Sequence, residues 1–162
     1  MSLASGRLSR VVLDGQVPSR LPAAVEADRA QAVADLVAEN RFMPLTGKAG
    51  ATAGPFALHL SVANGRLVFD IRRGNDTGLA VIGLALGPFR RLVKDYQLLV
   101  DSHIKAVEEG RAERIQAIDM GRRGLHDEGA ALMRARLEGK IAIDFPTARR
   151  LFTLVCVLHQ RI

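Results

Sequence analysis

The sequence predicts an α+β protein, with a mostly antiparallel sheet of roughly three to five strands packed against about four helices and the C-terminal helix central and buried. Three observations predict it. An Asn64-Gly65 pair separates two stretches of alternating apolar and polar residues. From Pro88 onward the apolar spacing becomes helical. The segment from Pro146 to His159 is apolar nearly all round, the pattern of a helix enclosed by other elements.

Taken in order, Arg7 to Asp14 has the alternation of a short strand, and Pro18 and Pro22 punctuate the passage to a helix. That helix starts near Pro22, a favourable first-turn residue. It carries Val25, Ala32, Val33, Leu36 and Val37 on one stripe up to about Asn40. Residues 45–55 read as a flexible, glycine-rich connector. Gly47-Lys48 is followed by alanine and then a strand, so the connector is not a phosphate-binding loop, which needs Ser or Thr after the lysine and a helix beyond it.

Phe56 to Ala63 and Arg66 to Arg73 flank the Asn-Gly turn, whose two central residues take positive φ. A two-residue loop fixes the register: Ala63 opposite Arg66, Val62 opposite Leu67, Leu60 opposite Phe69 and Leu58 opposite Ile71. The other face places His59 opposite Asp70, with Ser61 and Arg72 nearby. That group reads as a solvated cross-strand pair, because no nucleophile sits at an exposed turn. Leu79 to Leu86 is a third antiparallel strand, apolar on both faces and therefore expected to be covered on both.

Beyond Pro88, the residues Phe89, Leu92, Val93, Tyr96, Leu99, Val100, His103 and Val107 share a helical face, making His103 a hydrogen-bonded core histidine or a ligand. A second helix runs from about Arg111 to Glu138, stopped by Gly139. Ile141 to Phe145 reads as a short strand, and Pro146 to about His159 as the last helix, burying an inert Cys156.

The chain of 162 residues suits one domain, residues 1–162, able to bury about 68–70 % of its unfolded surface without staples. One cysteine excludes an internal disulfide and fits a reducing cytoplasm. No signal-peptide core opens the chain. The longest apolar run, Leu79 to Leu86, falls far short of the ~20 residues of a membrane span. A net charge of +6 raises the question of nucleic acid. The charge is diffuse, however: residues 1–87 carry 9 basic and 7 acidic side chains, residues 88–162 carry 14 and 10, and aromatics are 4 %. Without a basic block or stacking residues, nucleic-acid binding is not expected.

Several segments carry a resemblance. They are Arg66-Leu67-Val68-Phe69-Asp70-Ile71, Pro88-Phe89-Arg90-Arg91-Leu92-Val93-Lys94-Asp95-Tyr96, Ala117-Ile118-Asp119-Met120-Gly121-Arg122-Arg123-Gly124-Leu125-His126, and the run from Thr147 to His159. Over about Gly54 to His159 the chain resembles a family of small bacterial proteins catalogued only as an uncharacterised protein family. Gly87 and the connector from Gly47 to Gly54 depart from that pattern. The resemblance implies no activity, cofactor or catalytic residue.

Chemistry concentrates between Asp119 and Gly129, where acids, two arginines, a histidine and three glycines share one helix. Glycine in a helix costs about 0.8–1 kcal/mol relative to alanine, so the glycines point to close approach, a kink or a ligand. Ile115, Ile118, Leu125, Leu132 and Met133 define the apolar stripe, Arg122, Gly129 and Arg136 fall inside it, and Asp119 and His126 border it.

The catalytic candidates are Asp119, orienting the ring, and His126, as general acid or base, with Arg122 and Arg123 as bidentate anion ligands. Against them stands a structural reading: a ladder of Asp119 with Arg123 and Arg123 with Asp127, and Arg122 satisfied by a carboxylate or helix end elsewhere. Arg149 and Arg150 occupy the first turn of the last helix, the unfavourable end for cations, and point to an acid or bound anion nearby. Four histidines without carboxylates at ligand spacing predict no metal, and no motif predicts a cofactor.

Three function classes follow. The leading one is a binding or regulatory module for an anionic small molecule or acidic protein segment. The others are an enzyme acting on an anionic substrate through Asp119, Arg122 and His126, and a nucleic-acid or structural interaction protein.

Overall fold

The structure, a computed structural model, describes residues 6–14 and 21–159; the expected break at Pro18 lies outside them. In chain order the elements are strand β1 (Leu8–Leu13), helix α1 (Ala23–Ala38), strand β2 (Phe42–Pro44), one-turn helix α2 (Gly47–Gly50), and strands β3 (Phe56–Ala63), β4 (Arg66–Arg73) and β5 (Gly78–Ala85). A 3₁₀ turn over Gly87–Phe89 leads into helices α3 (Arg90–Glu108) and α4 (Ala112–Leu137), strand β6 (Ile141–Ile143) and helix α5 (Phe145–Leu158).

The β3–β4 register is the predicted one, with His59 opposite Asp70 and Leu60 opposite Phe69. Asn64 and Gly65 take the positive φ that the turn demands. The sheet order is β1-β3-β4-β5, and β1 runs parallel to β3, so the sheet is mixed. The helical crossover through α1 returns the chain to the sheet in its starting direction, as parallel neighbours require.

Leu58, Leu60, Leu67, Phe69 and Ile71 present one sheet face to the core. The opposite face is not fully covered: Val81 of β5 is 69 % exposed, which overturns the expectation of a strand enclosed on both sides. A continuous apolar run shows that a strand avoids polar residues and does not show what lies above it. The connector holds one helical turn, α2, which packs on β5 and buries Ala49. β2 and β6 pair antiparallel in a separate two-stranded sheet.

α5 is the central helix. It contacts α1, α3 and α4, and every residue from Leu151 to Val157 is buried. Asp144 caps its start, accepting from the Thr147 amide at 3.1 Å, with Pro146 in the first turn. α4 passes over it unbroken despite its glycines. Only Gly129 marks a close approach, since a Cβ there would lie 2.4 Å from the Phe152 ring.

Candidate functional site

α1, α4 and the first turns of α5 enclose a cleft of about 480 Å³, a size typical of small-molecule sites. α1 supplies Asp28, Gln31, Ala32 and Asp35; α4 supplies Asp119, Arg122, Arg123 and His126; α5 supplies Phe145, Pro146, Arg149, Arg150 and Thr153.

Asp28 is the hub of its polar wall. It lies three residues after Val25 and four before Ala32, both buried, so the helical repeat turns its carboxylate inward. Its Oδ2 accepts from Tyr96 Oη at 2.6 Å and from Arg122 Nη2 at 2.5 Å. The Asp28 and Arg122 side chains are 19 % and 24 % exposed. Burial, reinforced by the bond to the Asp28 carboxylate, raises the Tyr96 phenol far above its usual range and keeps it a donor. Arg122 Nε is buried without a partner among the described residues.

His126 lies one turn further along α4. Its ring meets Tyr96 and Phe152 edge-on, at centroid distances of 6.0 and 5.7 Å. Nδ1–H donates to the Arg122 carbonyl at 2.7 Å, which fixes the tautomer. Burial lowers its pKa, the Arg149 and Arg122 charges push the same way, and the carbonyl bond opposes them only in part. The imidazole is therefore neutral at pH 7, with its lone pair on Nε2.

The arginines of α5 answer the question raised by their unfavourable helix end. Arg150 Nη1 donates to the carbonyls of Asp35 and Glu39, at 3.3 and 2.8 Å, and so caps the negative C-terminus of α1. Arg149 Nε pairs with Asp127 at 3.1 Å. Arg123, exposed at the rim, makes no ion pair among the described residues.

Of the residues singled out in the sequence, Asp119, Arg122, Arg123, His126, Arg149 and Arg150 come together in this cleft. His103 does not; it is half-buried on α3 between the buried Val100 and Ala106, and it does not line the cleft. Asp119 does not orient His126, since the backbone carbonyl one turn back takes that role. The ladder through Arg123 is also absent: Asp127 turns to Arg149, and Asp119 reaches only Arg122 Nη1, at 4.0 Å. Arg136 of the stripe is exposed, although Met133 and Leu137 beside it are buried. Asp28 is not among the residues singled out in the sequence, and Tyr96 figures there only as a member of the apolar face of α3. A carboxylate between Val25 and Ala32 on an apolar stripe was the available signal.

A second polar cluster lies across the sheet. His59 is buried, with Nδ1 2.6 Å from Asp14 Oδ2 and Nε2 3.3 Å from Asp76 Oδ1; Arg10 also pairs with Asp76. The pair is therefore not a solvated one, and Asp70 is not the partner of His59, because it accepts from Arg72 at 2.8 Å. The parallel placement of β1 beside β3 brings Asp14 into reach instead.

Fold and cleft together define an α+β protein with an arginine-lined pocket between helices. The chain belongs to UPF0262, an uncharacterised protein family, whose sequence profile matches residues 5–161. A UPF0262 protein of Granulibacter bethesdensis is 67 % identical across 98 % of this chain and 93 % of its own length. Those of Acidiphilium cryptum and Maricaulis maris are 58 % and 51 % identical, covering 96 % and 99 % of this chain and 94 % and 98 % of their own lengths. No solved structure matches. Among the described residues no helix is long and apolar enough to cross a membrane.

Proposed function

We propose that the protein is a binding module for a small anionic molecule, seated in the cleft between α1, α4 and α5. The observation that carries this reading is the convergence of Arg122, Arg123, Arg149 and Arg150 on one pocket that Asp28, Asp35 and Asp119 also line. Asp28 is committed to Tyr96 and Arg122, and the charge of Arg123 is unanswered. The N-terminus of α5 adds the positive end of its dipole to the same space. An acidic protein segment would have to enter between three helices, which favours the small molecule. The diffuse basic charge speaks against nucleic acid, and a buried, single cysteine suits a reducing cytoplasm.

A thermal-shift series at constant ionic strength tests the reading. A ligand at about 100 times its Kd adds about 2.7 kcal/mol, or roughly 5–10 °C in a chain of this size. Carboxylates or phosphate should raise the melting midpoint beyond a chloride control, and Arg123→Glu should remove the rise without lowering the unliganded midpoint. If none of these anions exceeds chloride, the proposal is wrong.

His126 favours one second reading, proton transfer on the bound anion, because a neutral imidazole with a free lone pair is the form a general base takes.

A further inference from the structure

His126 spends one nitrogen on structure and leaves the other to the cleft. Nδ1–H is held by the Arg122 carbonyl, and Nε2 has no partner among the described residues. The atom is not sealed in the core: it is open to solvent, where water or a ligand can donate to it. A phenylalanine would fill the same space between Tyr96 and Phe152 but would offer the cleft no acceptor. Retaining a histidine makes sense where something entering the cleft supplies a donor. The neighbouring groups say what else that entrant carries. Arg123 and Arg122 precede His126 by three and four residues on the same helix, so each arginine side chain starts about 5–6 Å from that of His126. A carboxylate held by the guanidinium groups would thus place its adjacent carbon near Nε2. A phosphate monoester dianion offers only acceptors and would set its lone pairs against that of the ring.

We propose that the cleft selects 2-hydroxycarboxylates, with Arg122 and Arg123 taking the carboxylate and His126 Nε2 accepting the hydrogen bond of the adjacent hydroxyl. This rests on the anion-binding reading and adds the ligand class to it. The selection works in the ground state: no bond is made or broken, and the hydroxyl stays on the ligand while its hydrogen bond satisfies the ring. The hydroxyl thus distinguishes the ligand from simple carboxylates of the same size and charge.

Calorimetric titration of the full chain with matched pairs tests it: propionate against lactate, succinate against malate, and phenylacetate against mandelate. In the wild type at least one hydroxylated member should bind about tenfold tighter than its partner, the worth of one hydrogen bond. In His126→Phe that ratio should fall to near one, and His126→Gln, whose side-chain oxygen can accept in place of Nε2, should restore part of it. Thermal unfolding of each variant confirms that it is folded, and only the ratio is read. Equal binding of both members in every pair overturns this inference and leaves the anion site standing. Absence of binding by all six also overturns this inference, and the anion site then falls as well if phosphate does not exceed chloride in the thermal-shift series. A preference that survives in His126→Phe shows that His126 is not the acceptor.

Discussion

The two buried histidines meet opposite fates. His59, on the sheet, has both ring nitrogens engaged by carboxylates from two separate segments, Asp14 after β1 and Asp76 in the β4–β5 turn. His126, in the helical layer, has one nitrogen engaged and one left over, in a pocket large enough for a ligand. Polarity and burial are alike in the two sites. What separates them is unused hydrogen-bonding capacity: the sheet cluster is closed, and the cleft is open and keeps an acceptor unused.

Several substitutions test that contrast. The largest effect is expected at Arg122→Ala, which strands the Asp28 carboxylate beside Tyr96. The loss should be about 3 kcal/mol by denaturant unfolding, the lower edge of the range for breaking a fully buried pair, because both side chains keep some solvent contact. A loss no greater than that of a surface pair would show that Asp28 is not anchored through Arg122.

Gly129→Ala comes next. Overpacking against Phe152 should cost about 1–3 kcal/mol, less whatever alanine's helix propensity returns. Because Phe152 flanks His126, it should also weaken any ligand binding in the cleft.

Asp14→Ala, in the closed cluster, should cost no more than about 1 kcal/mol, since Asp14 is 44 % exposed and solvent screens the interaction. It should leave cleft binding unchanged. A larger loss than at Arg122 would reverse the comparison.

The smallest effect is on pH dependence. Burial lowers the folded-state pKa of His126, so on acidification the unfolded chain takes up its proton first. Stability therefore falls as pH drops below the ordinary histidine range and is unaffected above it. His126→Phe should flatten that part of the stability profile between pH 7 and 5. An unchanged acid limb would mean that the ring is not desolvated.

The same contrast separates what was legible in the sequence from what was not. The hairpin register followed from Asn64-Gly65 and two matched alternations, which are local signals. The central helix followed from its own composition. The direction of β1 did not, because alternation is identical in parallel and antiparallel strands. β2 spans only Phe42–Pro44 and includes a proline, too short a segment to show a period. In the cleft, the α4 residues and the α5 arginines were legible because they cluster locally or oppose a helix dipole. Asp28 was not, its partner lying 94 residues away. The partners of His59 were hidden for the same reason, since Asp14 is 45 residues off and comes into reach only once β1 lies beside β3.

The bonds that bridge the cleft also fix when it can exist. Asp28 joins a residue 94 positions later, and the Asp35 carbonyl joins Arg150, 115 positions later. On the ribosome, at about 5–20 residues per second, α1 emerges on the order of ten seconds before the helix that completes its wall. Through that interval the nascent chain holds one side of a pocket and no pocket. Any molecule that binds in the cleft therefore meets only polypeptides whose synthesis has passed α5, and it adds its stabilisation to them alone.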